Sequence, residues 1–274
     1  MRPLLSLILF ASMCFIPDGC TRRGGLEPNA SKPQVVLLFS DVTSSLIESE
    51  INQVSTLTAD VIDALPPGTE YYVFPIQMEP ERLQPILHQT ITAPKTFGVD
   101  EELKKRRRES LNKSITELYQ LIKGAKASPV AFGNPDNHSC IIYTLDFANN
   151  FFRQFDFSKY DLELIYISDM VEECNRTPLR QPISLASPDI SAQIKLAQSA
   201  DLSLQLSHVR ISIIIPVTKE TYVIRTRPSV SDLRRFWENI FLHCGFQSQD
   251  LQDDKKFYFS SGLPARLQSM NAGQ

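Results

Sequence analysis

Gln34-Val35-Val36-Leu37-Leu38-Phe39-Ser40-Asp41-Val42-Thr43-Ser44-Ser45 is the stretch on which the fold turns. Val35 to Phe39 is an unbroken apolar run, which reads as a parallel strand covered on both faces, since a half-exposed strand would alternate. A helix-period pattern follows at once, in Ile47, Ile51, Val54, Thr58, Val61, Ile62 and Leu65, and Pro66-Pro67-Gly68 stops it. Ser44 and Ser45 are good N-cap residues for that helix. Asp41, Thr43 and Ser45 therefore belong in the crevice outside a strand's carboxyl end, where open α/β sheets bind ligands. They offer one carboxylate and two hydroxyls, an all-oxygen set suited to a hard cation such as Mg²⁺.

The rest of the chain repeats the alternation. Glu70 to Ile76 reads as a second strand, giving a parallel β-α-β unit with a right-handed crossover. Ile86 to Ile91 is an edge-strand candidate behind Pro85. Glu101 to Lys123 is helical, with an acidic start at Asp100-Glu101-Glu102. Its basic run, Lys104 to Arg108, reads as a solvated pair of turns, contact with an anionic membrane surface or partner being the other reading. Ile141, Ile142, Leu145, Ala148, Phe152 and Phe155 mark a buried helix face beginning just after Ser139. A strand follows from Leu162 and ends at Ser168-Asp169, and a short helix is expected around Ile190 to Ala200. Val209 to Ile215 is another strand, Ser229 or Ser231 caps a last helix through Phe241, and Lys256 to Ser260 is a closing strand. The expected fold class is α/β, a doubly wound, mostly parallel sheet with helices on both faces, in a single domain.

Three of these segments carry a family resemblance. Asp41-Val42-Thr43-Ser44-Ser45 resembles the Asp-x-Ser-x-Ser signature of von Willebrand factor type A domains, with Thr in the first hydroxyl position. Ser139-Cys140-Ile141 is similar to that family's second loop, where Thr is usual, and Ser168-Asp169 to the Ser/Thr-Asp of its third. The resemblance implies a metal-ion-dependent adhesion site formed by Asp41, Thr43, Ser45, Ser139 and Asp169. In such a site Thr43 and Ser45, with Ser139 in some states, would bind the ion directly, and Asp41 and Asp169 largely through water. The ion would be Mg²⁺, or Mn²⁺ or Ca²⁺, and a partner protein's acidic side chain would complete its coordination. On their own residues, Ser139 also reads as a plain N-cap and Asp169 as a turn cap. Cys140 and Cys174 follow two loops that the family fold brings together, so they are a candidate disulfide in an oxidising compartment; buried free cysteines are the other reading.

The N-terminus points to export. Arg2 precedes an apolar stretch from Leu4 to Ile16, too short for a membrane span and right for a signal-peptide core. Gly19-Cys20 resembles the end of a bacterial lipobox, although Pro17 and Asp18 depart from it. Residues 1–19 are thus expected as leader, Cys20 as a lipidated first residue, 20–32 as a tether, 33–262 as the folded domain and 263–274 as a polar tail. The expected location is the bacterial envelope, periplasmic and membrane-anchored, with the outer membrane slightly favoured because Thr21, not Asp, follows Cys20.

A net charge of −3 gives no electrostatic case for nucleic acid binding, and five cysteines are too few for a disulfide scaffold. The chain lacks a phosphate-binding P-loop, a Gly-x-Ser-x-Gly elbow and a His-Glu-x-x-His pair, and its four histidines are scattered. A metal-dependent hydrolase with Asp41 as nucleophile would want a second Asp at position 43, which holds Thr. The expected function is cation-dependent protein binding rather than catalysis. The alternatives are that hydrolase, and a structural envelope module whose site has decayed.

Overall fold

A computed structural model describes residues 32–43, 46–76, 85–92, 99–127, 140–174, 183–184, 191–193, 195, 204–217, 229–247 and 257–259, with the side chains of 125–127, 173–174 and 183–184 left out. All of these belong to one unit, Lys32–Gln274.

The apolar run becomes β1, Gln34–Asp41, buried along almost its whole length. It is followed by α1 (Glu48–Asp63), β2 (Glu70–Ile76), β3 (Leu87–Thr90), α2 (Val99–Ala127), α3 (Ile141–Phe152) and β4 (Asp161–Ile167). A two-residue pair, β5 (Glu173–Cys174) and β6 (Ile183–Ser184), precedes β7 (Val209–Ile215), α4 (Val230–His243) and β8 (Phe257–Phe259). Six strands form one sheet in the order β3-β2-β1-β4-β7-β8, parallel except for the antiparallel edge strand β3.

Alternate residues of β1 feed two cores. Val35, Leu37 and Phe39 pack with α3 and α4 through Ile141, Leu145, Phe236 and Trp237. Val36 and Leu38 pack with α1 and α2 through Ile51, Val54, Ile62 and Ile115. This is the doubly wound arrangement, and it explains why β1 has no polar face. β1 sits mid-sheet with β2 on one side and β4 on the other, so the strand order reverses between β1 and β4. At such a switch point the loops leaving the two strands diverge and open a crevice.

Several local expectations change. α1 starts at Glu48 with Ile47 as its N-cap, not with Ser44 or Ser45, which lie outside the described residues. The reason is Glu50, whose carboxylate accepts the Ile47 N–H at 2.9 Å and takes over the capping role. Phe155 is not on α3, which ends at Phe152, but packs partly buried against the same core. The helix expected near Ile190 to Ala200 lies mostly outside the described residues.

The basic run on α2 is not merely solvated. Arg107 donates to Asp63 Oδ1 at 2.9 Å, and Arg108 donates to Asp63 Oδ2 at 2.7 Å and Asp60 Oδ1 at 2.8 Å. These pairs clamp α2 against the end of α1. Burial pushes the Asp63 carboxyl up, and the attraction of Arg108 and Arg107 does not fully offset it. Asp63→Ala would strand Arg107, which is only 14% exposed, and leave Arg108 its bond to Asp60. It should lower stability by about 2 kcal/mol in urea denaturation; an unchanged midpoint would show the clamp to be idle.

Candidate functional site at the β1–β4 switch point

Parallel pairing of β1 with β4 sets Ser40 against Ile167. The next residue on each strand, Asp41 and Ser168, therefore meet just beyond the ladder. Asp41 is fully buried. A buried carboxylate needs compensating donors. Ser168 Oγ donates to Asp41 Oδ2 at 2.8 Å, while the Thr43 hydroxyl at 2.7 Å and the Thr43 N–H at 3.0 Å donate to Oδ1. Having given its proton to Asp41, the Thr43 oxygen presents only lone pairs.

Other elements hold the two loops in place. Ser40 Oγ and Thr58 Oγ1 lie 2.9 Å apart, tying the end of β1 to α1. Tyr119 of α2 donates to the Leu46 carbonyl at 3.2 Å, anchoring the loop past Thr43. The Ser168 N–H donates to the Ile214 carbonyl of β7 at 3.1 Å. Past β4 the chain turns sharply, with Met170 at φ 60°, a left-handed conformation that side chains disfavour. Three bonds hold that turn. The Met170 N–H donates to Ser168 Oγ at 2.9 Å, the Val171 N–H donates to Asp169 Oδ1 at 2.9 Å, and Trp237 of α4 donates to the Met170 carbonyl at 2.8 Å.

The third segment joins through Glu172, which is buried. Its Oε2 accepts the N–H groups of Ile141 at 2.7 Å and Ile142 at 3.1 Å, capping the start of α3 with negative charge. Thr144 and Tyr166, with hydroxyls 2.7 Å apart, lock α3 to β4.

Of the residues expected in the site, Asp41 and Thr43 are in direct contact, and Asp169 follows the Ser168 that bonds Asp41. Ser45 and Ser139 lie outside the described residues, as does Cys20. The residue after Ser139, Cys140, leads into α3 and so sits one position from the end that Glu172 holds. Cys140 is disulfide-bonded, and the Cys174 side chain is outside the described residues. Sequence reasoning missed Ser168 as the link between strands and Glu172 as the cap of α3. Ser168 was discoverable, because parallel strands in register place it beside Asp41. Glu172 was not, since its partners lie about thirty residues earlier.

The donor set is oxygen only: the Asp41 carboxylate, the Thr43 hydroxyl and the neighbouring Asp169. Hydroxyls whose protons are spent on a carboxylate suit a hard divalent cation. Among the described residues no group of three or more His, Cys, Asp or Glu could hold a metal. A cation at this rim would therefore depend on hydroxyl oxygens as much as on charge.

No family model and no curated protein matches the chain. Solved structures do. A von Willebrand factor type A structure from Catenulispora acidiphila is 11% identical, covering 76% of this chain and 37% of its own, with a TM-score of 0.41. The SpRpn10 VWA domain is 10% identical over 88% of this chain and 95% of its own, at 0.37. The chain matches von Willebrand factor type A structures. Manganese-loaded Plasmodium vivax TRAP protein is also similar, 11% identical over 87% of this chain and 73% of its own, at 0.43. This chain spans 37% of the Catenulispora acidiphila structure. At these identities the likeness concerns the fold and says nothing of what the loops bind.

Ser168→Ala removes the donor to Asp41 and the acceptor of the Met170 N–H together. Loss of two buried bonds should destabilise the chain by roughly 1–3 kcal/mol in chemical denaturation. Ser168→Thr keeps the hydroxyl and should lose less; equal losses for Ala and Thr would mean that packing, not the bonds, matters there.

Proposed function

We propose that this chain is a von Willebrand type A-like binding module whose β1 and β4 loops hold a divalent cation, Mg²⁺ or Mn²⁺, and through it an acidic side chain of a partner protein. The observation that carries the reading is the clamp on Asp41: a buried carboxylate at the switch point, held by the Thr43 and Ser168 hydroxyls of two separate loops. In this reading Thr43, Ser45 and Ser139 supply hydroxyl oxygens, and Asp41 and Asp169 supply negative charge from behind. A divalent ion with few directly bound anions remains electrophilic, which favours an incoming carboxylate.

A hydrolytic role for Asp41 is disfavoured. Both of its oxygens accept hydrogen bonds and the residue is fully buried, so neither oxygen is poised to attack a substrate. Export and lipid anchoring at Cys20 complete the proposal and rest on the Leu4 to Ile16 segment and Gly19-Cys20. They would place the module in a bacterial envelope, where a tethered adhesive domain faces its partners directly.

The test is cation binding. Calorimetric titration with Mg²⁺ or Mn²⁺ should give saturable binding, weakened at least tenfold by Asp41→Ala or Asp169→Ala. Trp237, the only tryptophan, bonds the Met170 carbonyl next to Asp169, so its fluorescence should shift on saturation. Absence of binding in the wild-type chain would leave a structural module with a degenerate site.

A further inference from the structure

Cys140 stands out among the groups that the cation reading does not use. It is fully buried, it immediately precedes α3, and it is disulfide-bonded. Cys244, by contrast, is a buried free thiol whose ionisation burial pushes up, which keeps it out of thiol exchange. The fold brings one further cysteine close. Glu172 bonds the N–H groups of Ile141 and Ile142 at 2.7 and 3.1 Å, so residues 172 and 141 are in contact. Cys140 lies one residue from Ile141, and Cys174 two residues from Glu172. With about 3.8 Å per residue step, the two Cα atoms can reach the roughly 4.4–6.8 Å that a disulfide spans. The backbone of Cys174 is meanwhile held in the β5–β6 pair, opposite Ile183.

We propose that Cys140 and Cys174 form a disulfide that pins the start of α3 against the loop carrying Asp169, and that its oxidation sets the cation affinity of the rim. The inference rests on the cation-binding reading. Glu172 and the disulfide then act on the same joint, one by a charged cap and the other by a covalent tie. Formation passes two electrons and two protons from the thiols to an oxidised protein disulfide, which leaves as a dithiol. Reduction by a phosphine runs the other way: the phosphine gives two electrons, and one water supplies its oxygen and two protons, yielding phosphine oxide and two thiols. With the tie cut, the Glu172 bonds to Ile141 and Ile142 remain, but the approach to α3 loses its covalent constraint.

Peptide mapping of the full chain without reductant should recover one cross-linked pair containing Cys140 and Cys174, lost after phosphine treatment. Mg²⁺, which has little affinity for thiols, is the probe of affinity. Its binding should weaken about tenfold in the reduced chain, as loss of supporting contacts around a metal commonly does. The C140S/C174S variant should bind as weakly and ignore the reductant. A map pairing Cys140 with another cysteine would overturn the proposal. So would equal Mg²⁺ affinity in both states, an outcome that leaves the cation reading standing; no Mg²⁺ binding in either state removes both. Circular dichroism follows the fold during reduction, and unfolding there would mark the bond as purely structural and sink the redox dependence.

Discussion

The register between β1 and β4 is the constraint from which the rest follows. Setting Ser40 against Ile167 makes Asp41 and Ser168 neighbours at the sheet's rim. A slip of one residue would turn Val35, Leu37 and Phe39 away from the core they share with α3 and α4. The buried faces therefore enforce the same alignment that the polar rim requires. Packing and site are two readings of one pairing.

The rim is built by compensation. Among the described residues three donors meet the buried Asp41 carboxylate, and two of those are hydroxyls whose own positions are held elsewhere. Ser168 is held by β7 from below and by the Met170 N–H from above. Met170 tolerates its left-handed backbone because its side chain is buried and Trp237 bonds its carbonyl. Strained backbone persists where its surroundings over-determine it, and such places concentrate at functional loops.

Much of this was legible in the sequence, and the failures have physical causes. β1 is centred on a continuous apolar run, and β2 and β7 are mostly apolar, so their pattern left little choice, and β2 falls at Glu70–Ile76 as read. The two strand-terminal acids, Asp41 and Asp169, were visible because charge at the end of an apolar strand is conspicuous. Capping of α1 was misread because serines are good caps in general, whereas here a local acid, Glu50, reaches back to Ile47. The basic turns of α2 were misread because their partners, Asp60 and Asp63, are set by helix–helix contact, which no period reveals. Glu172 was invisible for the same reason: its role exists only once α3 is packed beside β4.

What links these observations to function is the claim that the oxygens around Asp41 serve an ion as well as each other. Diffraction from crystals grown with Mn²⁺, collected where manganese scatters anomalously, tests this most directly. The account predicts one strong anomalous peak at the rim between the loops of Asp41-Thr43 and Asp169. A clear map without that peak, or with manganese bound only elsewhere on the surface, would contradict it.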